Sequence, residues 1–516
     1  MGETGTASSL SDRTKYVAFA GLGLSMLLGG LDQTIVATAL PTIASEFGSL
    51  DQLFWVVTAY LVTSTAVTPL YGKLSDIYGR RLLTQIAIVI FLVGSALSGL
   101  SQSMVQLALL RGLQGIGGGG LMAMAMAGIG DIFTPRERGK YMSYLQLVNG
   151  SALIGGPLLG GFLTDQFTWR WIFYINIPLG IIALALIQIG LDVPVPNESH
   201  RIDYEGAGLI VIAVSVLVAL TSWGGDQYAW GSWQILGLAA VAVVGTVLFV
   251  VQERRIEEPM ISLELFRNRS VLLITVLAVL IGGVLMGVVN YIPVFMRMVL
   301  GKGGTNTGLL LMPLFVGFIV SAMTGGQLMS RIGRYKFITV AGLVVSLVGC
   351  YLLSTMGMDV SSLQTTLYMF VTGLMGMTLP TLSTAIQNAV SGDDIGEVSS
   401  LYSFGRNLGG ALGVSAFGIV FNRQLTAELR DALPNGVDVS AVSQSPQAIH
   451  QLSPQLQQQV MQALVDSFHA VFLVGVGVLG VSLLVSLVLP NDELKEESGA
   501  EMRAAADGGA VEDDDD

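Results

Sequence analysis

Three ionisable residues lie well inside long apolar runs of this 516-residue chain: Asp32, Arg111 and Arg406. A charge near the middle of a bilayer is unfavourable by about 3 kcal/mol or more unless it meets a partner or water, so each is a candidate for function rather than packing. The run holding Asp32 rises through a membrane and the run holding Arg111 descends. At ~1.5 Å per residue the two residues fall about 6 and 9 Å to the same side of their helix midpoints, which makes a pair plausible. In such a pair the guanidinium favours the ionised carboxylate and burial favours the neutral one, so the carboxylate is poised to load and release protons. A purely structural ion pair is the competing reading. Gln114 follows Arg111 by three residues on the same helical face, and Asn149 lies in the next run. Both amides suit either the lining of a polar cavity or an interhelical hydrogen bond.

The elements that must position these residues are membrane spans. Hydrophobic residues make up 52% of the chain and charged residues 12%, with 64 glycines. Soluble domains carry about twice that share of charge. Apolar runs of about 20 residues, the length needed to cross a bilayer, recur at 16-40, 52-74, 82-101, 104-130, 140-163, 171-191, 207-222, 232-251, 270-297, 306-329, 337-355, 362-389, 398-421 and 469-489. Fourteen spans put both termini on one side. Eighteen lysines and arginines fall on that side and five on the other, which predicts cytoplasmic termini. The net charge of -12 is concentrated in residues 491-516, whose 11 acids face only Lys495 and Arg503; this segment reads as a solvated tail. The single Cys350 excludes an internal disulfide or a cysteine metal site, and no histidine grouping suggests a metal.

The sequence repeats itself. GKLSDIYGRR at 72-81 recurs as GQLMSRIGRY at 326-335, with Gly72, Leu74, Gly79 and Arg80 matched by Gly326, Leu328, Gly333 and Arg334. An offset of 254 carries the first six spans onto the last six and leaves the seventh and eighth as an inserted pair. The expected organisation is a short N-terminal segment (1-14), a six-helix bundle (15-191), a linker with two extra helices (192-268), a second six-helix bundle (269-490) with an external loop at 422-468, and the acidic tail (491-516). That loop suits amphipathic helices or a solvated spacer. Repeated halves suit a transporter that rocks about a central site.

With these residues in view, the chain resembles the major facilitator superfamily, and within it the fourteen-helix drug:proton antiporter branch. LDQTIVATALPTIA (31-44), WVVTAYLV (55-62), GKLSDIYGRR, RGLQGIGGG from Arg111, GSALIGGPLLGG (150-161), WRWIFYINIPLG (169-180), PMISLELFRNRS (259-270) and LGKGGTNTGLLLMP (300-313) are similar to that branch, in order. The resemblance implies an all-α membrane protein of two six-helix bundles plus an inserted helical hairpin. It also implies a proton role for Asp32 and an antiporter motif at Gly155, Gly156, Pro157, Gly160 and Gly161. From the residues alone, that glycine-proline run is a kinked packing surface that could also seal a gate.

Gly72, Asp76, Gly79, Arg80, Arg81 and Asp131 form a candidate cytoplasmic latch, in which Asp76 could also rest on the positive end of the helix beginning near Ser399. Ser330 stands in the second copy where the first has Asp76, so the latch is expected on one side. Positive-inside anchoring explains the arginines but not Asp76. Arg406 has no evident carboxylate at its depth, and contact with Asp76, with an anionic part of a substrate, or with the membrane surface are all open to it. Met122, Met124, Met126, Met286, Met375 and Met377 could form an adaptable binding surface or ordinary packing.

Nothing is arranged as a nucleophile with its base, a metal cluster or a phosphate loop, which argues against an enzyme and against a cofactor. The expected partners are a small-molecule substrate, protons and membrane lipids, without nucleic acid, for a monomer in the cell's inner membrane. Export of hydrophobic compounds by proton exchange is the leading expectation. Export of an endogenous metabolite or lipid, or a membrane sensor on a transporter body, are the alternatives.

Overall fold

In lipid every backbone polar group must be satisfied within the protein, and a chain of apolar runs without strand patterning can do so only as helices. The computed structural model describes residues 12–47, 53–191, 203–224, 228–256, 261–300, 311–392, 394–432 and 454–495. Within them are fourteen spans: α1 (Asp12–Phe47), α2 (Leu53–Tyr78), α3 (Arg80–Gly99), α4 (Met104–Ile132), α5 (Pro135–Gln166), α6 (Trp171–Gly190), α7 (Tyr204–Trp223), α8 (Trp233–Glu253), α9 (Arg269–Met298), α10 (Met312–Ile332), α11 (Lys336–Leu353), α12 (Ser362–Asn388), α13 (Ile395–Ala432) and α14 (Pro454–Val488). Two isolated bridges, Gly224 with Tyr228 and Arg334 with Glu493, are the sole β pairings among the described residues.

Twelve of the helices are long and apolar enough to cross a membrane on those grounds alone. The other two are α2, which is rich in Thr, Ser and Tyr, and α7, whose apolar stretch Glu205–Thr221 is short. Helix ends are written locally. Ser103 accepts a hydrogen bond from the Gln106 amide at the start of α4, Thr134 and Glu137 form a capping box on α5 behind Pro135, and Ser361 and Gln364 do the same on α12.

The repeat is visible as packing. In the first bundle α1 packs on α5 and α6, and α4 packs on α2 and α3; in the second, α9 packs on α13 and α14, and α12 packs on α10 and α11. α7 and α8 pack on each other and attach through α2 and α13. Gly79 and Gly333, equivalent in the two copies, are the only residues with positive φ among those described (88° and 72°), a conformation that glycine adopts without steric cost.

Two boundaries differ from the sequence reading. α13 runs on to Ala432 and α14 begins at Pro454, so much of the expected external loop continues the two helices; counting apolar residues detects only their lipid-facing lengths. Residues 433–453, the N-terminal residues 1–11, the start of the linker at 192–202 and the acidic tail from 496 lie outside the described residues.

The polar contacts between the bundles lie at the end that carries the two repeat loops, and apolar contact continues along α5, where a Cβ at Gly150 would fall 2.7 Å from Ile319 of α10. Every recorded hydrogen bond and ion pair between them, among the described residues, involves residues 73–142 of the first bundle and 330–406 of the second. Farther along α5, a Cβ added at Gly155 or Gly161 would meet nothing within 4 Å.

Candidate functional site

The deepest charge cluster is assembled by five helices of the first bundle. Asp32 of α1 is fully buried. Its Oδ2 accepts a hydrogen bond from Arg111 Nη1 of α4 at 2.5 Å, and its Oδ1 accepts from Gln114 Nε2 at 2.8 Å and from Asn176 Nδ2 of α6 at 3.1 Å. Arg111 Nη1 also donates to Gln114 Oε1 at 2.7 Å, which fixes the direction of that amide. Asn176 is steadied by Ser95 of α3, whose Oγ lies 3.0 Å from Nδ2 and itself donates to Phe173 O at 2.8 Å. The ring of Tyr60 on α2 lies 4.2 Å beneath the guanidinium carbon and adds a cation–π contact.

This arrangement supplies three donors to one carboxylate and ties α1 to α4 and α6. We expect Arg111→Ala to weaken gradient-driven transport, since the Asp32 carboxylate loses the guanidinium it is paired with. Arg111→Lys should rescue in part, because it keeps the charge without the planar fork. Transport rate measured beside thermal stability checks this; an unchanged rate with lowered stability would assign the pair to structure alone.

Asn149 is placed elsewhere. It is half-buried on α5, and a Cβ added at Gly30 would fall 2.9 Å from its Oδ1. Nearby, Thr34 Oγ1 donates to Ala152 O at 3.0 Å, and a Cβ added at Gly156 would fall 1.9 Å from that hydroxyl. Gly156 thus lets α5 lie against α1 one turn beyond Asp32. Gly160 is buried, Gly155 and Gly161 face open space, and Pro157 lies in the same helix.

A second cluster sits at the repeat-loop end. The buried Arg80 binds Asp131 through Nε at 2.7 Å and is also paired with Asp76 and Ser75. Asp76 Oδ1 accepts from the Gly396 amide at 3.2 Å, at the N-terminal end of α13, where the helix dipole favours an anion. One turn away, Lys73 Nζ lies 3.7 Å from Glu397. Gly72 sits directly on α13: a Cβ there would fall 2.2 Å from Ser400 Oγ. Arg81 is half-buried beside Arg80. In the second copy Ser330 bonds to Gly326 O of its own helix at 3.1 Å, and Arg334 pairs with Glu493 rather than with the other bundle.

Arg406 of α13 is only 9% exposed, and its recorded partner is the sulfur of Met122 on α4, 3.8 Å from Nη2. Among the described residues no group of three His, Cys, Asp or Glu side chains could hold a metal. A cavity of about 1080 Å³ lies on the far side of α2 and α4, between them and the inserted hairpin, and is lined by Trp55, Ala59, Leu109, Gly112, Ser215 and Trp223 among others.

Asn176, Ser95, Tyr60, Lys73 and Glu397 were not singled out from the sequence. Asn176 had a detectable signal, an amide in the middle of an apolar run; the others carry no mark until the helices are packed.

A sequence profile of the Major Facilitator Superfamily matches residues 22–414. The chain is 36% identical over 524 residues to the multidrug transporter protein MdtP of Bacillus subtilis, covering 96% of each chain. It is 34% identical to multidrug resistance protein 3 of the same organism, covering 98% of this chain and 100% of that one. Its fold is similar to that of the proton:xylose symporter XylE, with a TM-score of 0.60 at 13% identity, over 96% of this chain and 99% of that one.

Proposed function

The chain belongs to the major facilitator superfamily, a family of multi-pass membrane transporters rather than enzymes, and from that premise we propose that it exports small hydrophobic or amphipathic compounds in exchange for protons. The observation that carries the reading is the fully buried Asp32, held by Arg111, Gln114 and Asn176 within a bundle that can rock against its repeat. The relatives named as multidrug transporters support a broad cargo.

On this reading residues 15-191 and 269-490 act as the two rocking units and 192-268 links them. The end bearing the repeat loops faces the cytoplasm, as do both termini, in keeping with the charge asymmetry. The contacts of Asp76, Arg80, Asp131 and Gly72 with their surroundings then form a cytoplasmic gate in its closed state, and the cleft opens outward. Protonation of Asp32 releases Arg111 and loosens α1 from α4; deprotonation restores the pair. The Gly156 crossing transmits the movement of α1 to α5. The host membrane is the cell's inner membrane, and a monomer contains every group that this cycle needs.

Everted membrane vesicles holding the protein, with the lumen acidified, test the proposal. We expect a panel of fluorescent amphipaths to accumulate in the lumen, and accumulation to collapse when a protonophore abolishes the gradient. Movement independent of the gradient would refute proton exchange, and movement of a single compound would refute the broad cargo.

A further inference from the structure

Arg406 is a buried cation with no carboxylate at hand. Its side-chain hydrogen bond goes to the Met122 thioether, a weak acceptor, and the Tyr402 hydroxyl is the other polar group near it. Its depth is fixed by α4. Met122 lies eleven residues beyond Arg111, about 16 Å along the helix, and nine residues before Asp131, about 13 Å. Both gaps exceed the reach of an arginine side chain, so neither Asp32 nor the Arg80–Asp131 cluster neutralises it. Tyr402, one turn below on α13, donates its hydroxyl to Leu379 O at 3.2 Å.

Arg406 is buried beside the seam between the two bundles. One turn closer to the repeat-loop end, Ser403 of α13 lies 3.3 Å from the sulfur of Met126. Ser383 of α12 lies 4.0 Å from that sulfur and 3.8 Å from that of Met142 on α5. This layer joins the two bundles. Met122, Arg406 and Gln146 each stand one turn outward from it, on α4, α13 and α5. Gln146 is 1% exposed, and its Oε1 is buried without a partner. Thus a guanidinium whose hydrogen bond goes to a thioether and an amide oxygen without a partner, from opposite bundles, stand beside a layer of methionines, which are soft and adapt to varied apolar shapes. An unpaired buried guanidinium is costly, and a planar oxyanion satisfies it through two parallel hydrogen bonds.

We propose that Arg406 anchors the acidic group of the ligand, so that the cleft takes amphipathic organic carboxylates, with the head on the guanidinium and the apolar body along the methionine wall. The inference rests on the export reading and names a substrate class for it. Gln146 offers its amide to a second polar group of the ligand.

Fluorescence titration of the purified full chain with dansylglycine and with its methyl ester, which differ in the negative charge, tests the site. We expect the acid to bind about tenfold more tightly than the ester. Arg406→Gln should remove that preference while retaining ester binding, which also shows that the variant is folded, and Arg406→Lys should restore it in part. An acid that binds no better than the ester, including no binding by either, overturns the site, as does a preference that survives in Arg406→Gln. Gradient-driven movement of the ester without any acid preference defeats this inference alone. An acid preference without gradient-driven movement of either probe defeats the export reading instead.

Discussion

Asp32→Asn should bring gradient-driven export down to the level of vesicles that lack the protein, while insertion and folding survive. The amide has nearly the same shape as the carboxyl and can still accept from Gln114 and Asn176, so the α1–α6 contact persists. What disappears is the negative charge that holds Arg111 and the only site among these groups that can exchange a proton. Removing one partner of a buried ion pair costs about 3–5 kcal/mol, so some loss of thermal stability is expected as well. The cation–π contact with Tyr60 offsets part of it. Substrate binding without coupled transport would be the signature. Export that continues to follow the pH gradient in Asp32→Asn would remove this residue from the mechanism.

Gly326→Val should trap the protein with the repeat-loop end open. A Cβ at Gly326 would fall 1.7 Å from Ser143 Oγ and 2.0 Å from Gly139 O, both on α5 of the other bundle, and backbone cannot yield as a flexible side chain does. Overpacking of a fitted contact costs about 1–3 kcal/mol, and here that cost applies only when the bundles are closed at this end. A mutation that penalises one of two states shifts the population toward the other. Gly72, its equivalent in the first copy, meets Ser400 of α13 in the same manner, so Gly72→Val should act in the same direction. A cysteine introduced at Ser403, in the layer that joins the bundles, reports the shift; the native Cys350 is fully buried and contributes little background. Faster labelling by a thiol reagent from the repeat-loop side is expected in both variants. Unchanged labelling in both would show that these crossings do not hold the closed state.

These two sites differ in how legible they were. Asp32 and Arg111 stood out because charges inside apolar runs are rare, and helical rise alone put them at similar depth. The fourteen spans were legible for the same reason of composition, although α2 is polar enough to need its neighbours, α4 and α13, to secure it. The repeat placed Gly72 opposite Gly326 in the sequence, but nothing there names Ser400 or Ser143 as the groups they press upon. Contacts between bundles depend on how two separately folded units dock, and no local pattern encodes that. Ser95 was missed because a single hydroxyl in an apolar run perturbs neither charge nor periodicity, and Asn176 because its signal, an amide in an apolar run, does not say which partner it meets. Asn149, which shares the chemistry of Asn176, was the more conspicuous amide, and it packs near Gly30 instead. The extension of α13 and α14 beyond their apolar lengths was legible only as one of two readings of the 422-468 segment, amphipathic helices or a solvated spacer, because polar turns carry no hydropathy signal that separates the two.

Exchange of a substrate for a proton requires that binding of one displace the other, and this can be measured without transport. The purified protein, held in weakly buffered solution with a pH indicator, is mixed with a fluorescent amphipath that it moves in vesicles. Release of protons on binding is expected from the native chain, and none from Asp32→Asn at comparable occupancy. Binding that releases no protons from the native chain, or equal release from both proteins, would contradict the account.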